Sequence, residues 1–174
     1  MIDISNYEYI NDFEVKSNDI IIFDPCFSKN EWCSMLIEDV KRGIWESYVK
    51  INDDDGSISE LMVIYKNLLT SAYKNHKWNK IETDICIDSG QCAILDNDIF
   101  SSEKINTLKN CKDTIKLYNY GSINNGVISL SGYGEGEYSC YVIDDINGII
   151  GVKVIFIEEI LESDYDYDDD IMDD

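Results

Sequence analysis

Three short motifs place a carboxylate beside residues that either restrict or free the backbone. They are Asp24-Pro25-Cys26-Phe27, Asp88-Ser89-Gly90-Gln91 and Gly132-Tyr133-Gly134-Glu135-Gly136-Glu137-Tyr138. Each lies where a predicted strand enters or leaves a tight turn. Such turns are expected there because proline fixes the backbone φ at the start of a turn and glycine permits a positive φ within it. Such strand ends commonly gather at one rim of a sheet, so we predict that the three turns converge. The candidate site residues are Asp24, Cys26, Asp88, Ser89, Gln91, Glu135 and Tyr138.

The chemistry open to this set depends on its three carboxylates. Asp24, Asp88 and Glu135 would act as general acids or bases, or would hold a metal ion, with Tyr138 orienting a ligand. A site of hard oxygen ligands suits Ca²⁺ or Mg²⁺ rather than zinc. The opposing interpretation is purely structural: Asp24 would cap its turn, Asp88 would form an Asx turn, and the glycines would allow a tight hairpin.

Cys26 is a candidate nucleophile only if a base lies within reach of its thiol. The one histidine, His76, sits in a polar stretch, and no motif links it to Cys26. A buried structural role is the commoner fate of a cysteine, and the sequence favours that role here.

Taken together, the motifs resemble those of a group of small bacterial and phage-encoded proteins of unknown function. That group carries DPCY, VDSGQ-like and GDGxY motifs, and the similarity spans most of residues 18–157. Two positions depart from the pattern: Phe27 replaces the usual tyrosine, and Glu135 replaces the usual aspartate. The resemblance implies a shared site but no particular activity, since the group has no settled function.

Charge is the outstanding property of the composition. The 174 residues include 14 basic and 35 acidic side chains, for a net charge of −21. Residues 162–174 carry eight acids and no base, and we predict that this segment is a disordered tail. Residues 1–161 keep 14 basic against 27 acidic side chains, or −13. Such a charge disfavours binding to the phosphates of nucleic acids and to anionic membranes.

The cellular location is predicted from features that the sequence lacks. The first 14 residues contain no lysine or arginine, so we predict no signal peptide. The longest apolar runs, such as residues 61–65, are far too short to cross a membrane. The six cysteines form no C-x-x-C pair, which favours reduced thiols and a cytoplasmic protein. No motif indicates a bound cofactor.

The periodicity of apolar residues predicts mostly strands. The predicted strands are 20–23, 45–51, 58–65, 78–87, 91–95, 127–130, 138–143 and 149–157. A helix is predicted over 31–42, with Ser28 as its N-cap and Gly43 as its C-cap, and a second over 99–112, capped by Ser101 or Ser102. Seven or eight strands and about two helices predict one mainly antiparallel α+β domain over residues 1–161, built as a sandwich or a partly closed barrel.

Three hypotheses of function follow. The first is a non-enzymatic binding module whose acidic surface engages a partner protein, with a basic partner the natural match, as in immunity-type or inhibitor proteins. The second is an enzyme, or a protein that binds a small ligand or divalent cation, at the three turns. The third is that the motifs only hold the turns. The sequence favours the first.

Overall fold

The computed structural model of the chain describes residues 2–27, 31–67 and 76–159. In this part of the chain, twelve strands form two antiparallel sheets, and two helices cover one of them. The predicted α+β class, mainly antiparallel and sandwich-like, is confirmed, and the described strands close no barrel. The predicted acidic tail, residues 162–174, lies outside the described residues.

The larger sheet contains seven strands in the order β1-β4-β5-β12-β11-β6, with β7 also paired to β11. The strands are β1 (Tyr7–Val15), β4 (Gly43–Ile51), β5 (Ile58–Tyr65), β6 (Asn79–Lys80), β7 (Ile85–Ile87), β11 (Gly136–Asp145) and β12 (Gly148–Ile155). The strands predicted over 45–51 and 58–65 form the β4–β5 hairpin, and those predicted over 138–143 and 149–157 form the β11–β12 hairpin. The strand β1 was not predicted, although Phe13 and Val15 alternate with exposed acids and are buried.

The smaller sheet contains five strands in the order β3-β2-β8-β10-β9. The strands are β2 (Ile20–Phe23), β3 (Ser34–Ile37), β8 (Gln91–Asp96), β9 (Tyr120–Ile123) and β10 (Gly126–Leu130). One face packs on the larger sheet, and the other packs on helices α1 (Asn97–Ser102) and α2 (Lys104–Leu117). Because both faces are covered, all four residues of β2 are buried, and this explains the continuous apolar run in the sequence.

The helix predicted over 31–42 is wrong. A short 3₁₀ turn, Glu31–Cys33, leads into β3, which pairs with β2 in the register Ile20↔Ile37 to Phe23↔Ser34. Pairing with β3 satisfies the backbone hydrogen-bonding groups along one edge of β2. The stabilisation from this pairing outweighs the weak helical preference of the residues in β3. Gly43, predicted to cap that helix, instead opens β4 with φ at 132°.

The strand predicted over 78–87 is broken into β6 and β7, which both pair with β11. Lys80 is opposite Tyr141 and Ile85 is opposite Tyr138, so two extra residues bulge out between the paired segments. The second predicted helix is present but is divided at Glu103, and its N-cap is Asp96 rather than Ser101 or Ser102.

Candidate functional site

The three motif turns meet at one edge of the sandwich. The Asp24 carboxylate accepts hydrogen bonds from the 88–89 turn, which joins β7 to β8. The Ser131 amide in turn donates to the Gly90 carbonyl (2.9 Å), and a Cβ added to Gly90 would lie 3.4 Å from the Gly134 Cα. We call this assembly the three-turn cluster, comprising residues 24–27, 88–91 and 131–138.

Asp24 is the centre of the cluster and is completely buried. Its Oδ1 accepts from the Cys26 amide (2.9 Å) and the Ser89 hydroxyl (2.6 Å). Its Oδ2 accepts from the amides of Asp88 (2.8 Å) and Ser89 (2.7 Å). A carboxylate offers about four lone-pair positions, and here four donors occupy them. Asp24 therefore joins two loops and has no free oxygen position for a metal ion or a substrate proton.

Tyr138 closes the glycine-rich turn. Its hydroxyl donates towards the carbonyls of Gly134 (2.6 Å) and Ser131 (3.2 Å), and the Ser131 hydroxyl donates to the same Gly134 carbonyl (2.7 Å). Its ring packs edge-on against Phe156, with the ring centroids 5.2 Å apart. Because the tyrosine hydroxyl bonds within its own turn, its position supports a structural role rather than the predicted orientation of a ligand.

The other two predicted carboxylates do not join Asp24. Asp88 and Glu135 are exposed. Asp88 bonds to the Asp24 carboxylate through its backbone amide, not through its side chain. No group of three or more histidine, cysteine, aspartate or glutamate residues in the described ranges is arranged to hold a metal ion. The turns converge as predicted, but the shared carboxylate site that would have served Ca²⁺ or Mg²⁺ is not formed by them.

Two cysteines near the cluster differ in environment. The buried role that the sequence favours for Cys26 is wrong, since Cys26 is exposed on the first turn, whereas Cys33 is buried. Burial raises the pKa of the Cys33 thiol to about 11, with further contributions from the Cys86 thiol and the carboxylates of Asp24 and Asp88. A buried thiol with a raised pKa is a poor nucleophile, so Cys33 belongs to the packing of the cluster.

Cys26 and Gln91, both predicted site residues, face outward from the cluster. With Pro25 they line one side of a pocket of about 730 Å³ whose other side is helix α2. These two residues are the part of the predicted site that lines this pocket.

A second buried carboxylate, Asp96, escaped the sequence analysis. Its Oδ2 accepts from the amides of Lys16 (2.6 Å) and Ser17 (2.9 Å), and its Oδ1 caps helix α1 at the amide of Asp98 (2.8 Å). Asp96 pairs with Ile20, the first residue of β2, whereas Asp24 follows the last residue of that strand. The signal that could have revealed Asp96 is its place between an apolar strand and a helix, which is typical of an N-cap.

A cleft of about 780 Å³ at one end of the larger sheet was not predicted from the sequence. We call it the acidic cleft, because five carboxylates and one lysine are among its lining residues. These charged residues are Glu8, Lys50, Asp53, Asp54, Glu158 and Glu159. Three distant segments form the cleft, namely the start of β1, the β4–β5 turn and the residues after β12, so the sequence alone does not bring these acids together.

Beside the cleft, charged groups are paired with one another. Glu60 is buried in β5, where it accepts from the Tyr7 hydroxyl and lies 3.3 Å from Lys153 and 3.7 Å from Lys50. Lys50 also pairs with Glu159, which lowers the pKa of that carboxyl. Burial, followed by the hydrogen bond to Glu60, raises the pKa of Tyr7. The one lysine among the described residues of the cleft is therefore already neutralised by acids of the chain itself.

Among the described residues there is no helix both long and apolar enough to cross a membrane. No protein-family model matches the chain, and no match was found among curated proteins or solved structures. The function of the protein is therefore inferred from the geometry and charge of the molecule.

Proposed function

We propose that this protein is a non-enzymatic binding module that receives a basic segment of a partner protein in the acidic cleft. The observation that carries the proposal is the gathering of five carboxylates around one concave surface. The only lysine among its described lining residues is engaged by Glu60 and Glu159. A lysine or arginine side chain entering the cleft would find several carboxylates without displacing a competing cation of the chain.

The surroundings of the cleft support the same partner. Asp53 and Asp54 are exposed on the β4–β5 turn and Glu158 is exposed after β12, so their charges face solvent. Ser5, Asn6 and Asn52 add neutral polar groups to the lining, and these suit the backbone of an incoming peptide. The sequence continues after Glu159 into a segment with eight more acids, and a field of one sign speeds the encounter with a basic partner.

The experiment uses a defined basic probe, deca-lysine, and the full chain. We expect the triple variant Asp53→Asn, Asp54→Asn, Glu158→Gln to weaken binding of the probe at least fivefold at 50 mM salt, measured by isothermal titration calorimetry. The matched control is Glu38→Gln, Glu82→Gln, Asp144→Asn, which removes the same three charges from exposed positions away from the cleft.

The control decides between the cleft and net charge alone. The proposal predicts less than a twofold loss of affinity in the control variant. Equal losses in both triple variants, or no binding of deca-lysine to the unaltered protein, would contradict a specific role for the cleft.

A further inference from the structure

Helix α2 is basic, whereas the chain as a whole is strongly acidic. It contains four lysines and one aspartate, in a chain where acids outnumber bases by 35 to 14. Lys109, Lys112 and Lys116 line the pocket that separates the helix from the three-turn cluster. None of the described residues that line this pocket is acidic. We call it the lysine pocket.

The spacing of residues along α2 explains how the pocket combines charge with an apolar surface. At about 100° per residue, Leu108 and Ile115 lie within 20° of each other around the helix, and the three lysines follow over the next 100° or so. Leu108 and Ile115 are half-buried against the core under the helix, while the lysines are exposed. One side of α2 therefore presents an apolar strip with a row of ammonium groups beside it.

The opposite wall is held in place by the three-turn cluster. Pro25 is buried, and the amide of Cys26 is fixed by its hydrogen bond to Asp24. Gln91 is held by the pairing of β8 with Leu130 of β10, and its side-chain amide offers both a donor and an acceptor. The saturated hydrogen bonds of Asp24 thus give the pocket a rigid wall.

We propose that the lysine pocket binds a small organic phosphate, a phosphate monoester carried on a flat, largely apolar body about the size of a nucleoside. Lysine ammonium groups bind phosphate as point charges, and three of them in one pocket favour a phosphate monoester, which carries about two negative charges near pH 7, over a singly charged carboxylate. Pro25, Leu108 and Ile115 would contact the body of the ligand, and Gln91 would bond to its polar edge. A volume of about 730 Å³ falls in the usual range for small-molecule sites, about 300–1,000 Å³.

This site is independent of the acidic cleft, since the two share no lining residue in the part of the chain that the structure describes. The acidic triple variant Asp53→Asn, Asp54→Asn, Glu158→Gln is therefore expected to bind organic phosphates as the unaltered protein does. A failure of either proposal leaves the other to be judged on its own experiment.

The test titrates the full chain with the four ribonucleoside 5′-monophosphates and with phenyl phosphate, using calorimetry at 50 mM salt. The controls are adenosine, which lacks the phosphate group, and inorganic phosphate, which lacks the organic body. We expect at least one of the five monoesters to bind at least tenfold more tightly than inorganic phosphate and than adenosine. Absence of binding by all five monoesters up to 5 mM, or binding no tighter than that of inorganic phosphate, would overturn the proposal.

Paired variants locate the site. We expect Lys112→Gln with Lys116→Gln to weaken binding of the best monoester at least tenfold. The control, Lys80→Gln with Lys104→Gln, removes the same charge outside the pocket, where Lys104 lies over the Phe100 ring. Its expected loss is less than twofold, and equal losses in the two pairs would overturn the assignment.

Discussion

The three-turn cluster and the acidic cleft both contain carboxylates, but they use them in opposite ways. In the cluster, Asp24 is buried and its oxygens accept four hydrogen bonds from the chain itself. In the cleft, Asp53, Asp54 and Glu158 are exposed, and no side-chain cation in the described ranges is paired with them. A residue in a conspicuous motif can therefore have a structural role, whereas exposed acids that belong to no motif can be brought together by the fold at one surface.

The largest expected effect is that of removing Asp24. The Asp24→Ala variant leaves four donors in or near the core without their acceptor, and hydrogen bonds to charged groups contribute about 1.5–3 kcal/mol each. We expect the free energy of unfolding to fall by at least about 3 kcal/mol, measured by urea denaturation. A loss below about 1 kcal/mol would show that Asp24 is not the structural centre of the cluster.

Alkaline pH offers a second way to separate the two regions, because the buried Cys33 thiol lies beside the cluster, where the Cys33 carbonyl accepts a hydrogen bond from the Asp24 amide. Its pKa is raised to about 11 in the folded protein, so its contribution to stability is complete below the pKa of an unfolded thiol. That contribution is lost as pH rises towards the folded value. Between pH 8 and pH 10 we expect this thiol to account for a loss of about 1 kcal/mol.

The measurement is the free energy of unfolding across that range in the Cys33→Ala variant. We expect the variant to lose about 1 kcal/mol less than the unaltered protein between pH 8 and pH 10. The control is Cys26→Ala, which removes an exposed thiol from the same cluster and should leave the pH dependence as it is. Parallel pH curves for the Cys33 variant and the unaltered protein would contradict the assignment.

The Tyr138 hydroxyl has a smaller expected effect. Tyr138→Phe removes the bonds to the Gly134 and Ser131 carbonyls and keeps the ring contact with Phe156. We expect a loss of about 1 kcal/mol, seen in urea denaturation. Tyr118→Phe, at a 68% exposed position, is the matched control, and a cost no greater than that of the control would show that the hydroxyl does not hold the turn.

Some parts of the fold and of the candidate site could be predicted from the sequence, and others could not. Alternating apolar residues identified the β4–β5 and β11–β12 hairpins, because strand period and turn chemistry are local properties. They did not identify β3, since only its pairing with β2 outweighs the helical spacing of its residues. The meeting of the three turns followed from strand ends, but the burial of Asp24 depends on the 88–89 turn, 64 residues away.

The smallest expected effect is at the exposed carboxylates of the cluster. The turn bond of Asp88 is made by its backbone amide, so Asp88→Ala keeps it. The double variant Asp88→Ala, Glu135→Gln should change the free energy of unfolding by less than about 0.5 kcal/mol, as is usual for surface positions. A loss near that of Asp24→Ala would show that the carboxylates of the cluster act together after all.

The most direct test of the central claim, that the acidic cleft is the binding surface, is a map of amide chemical shifts in the full ¹⁵N-labelled chain as deca-lysine is added. We predict that the largest changes fall on the cleft segments, residues 5–8, 50–54 and 157–159. The amides of Asp88, Ser89 and Gly134 in the three-turn cluster should stay unchanged. Changes spread evenly over all exposed acids, or concentrated at the cluster, would contradict the account.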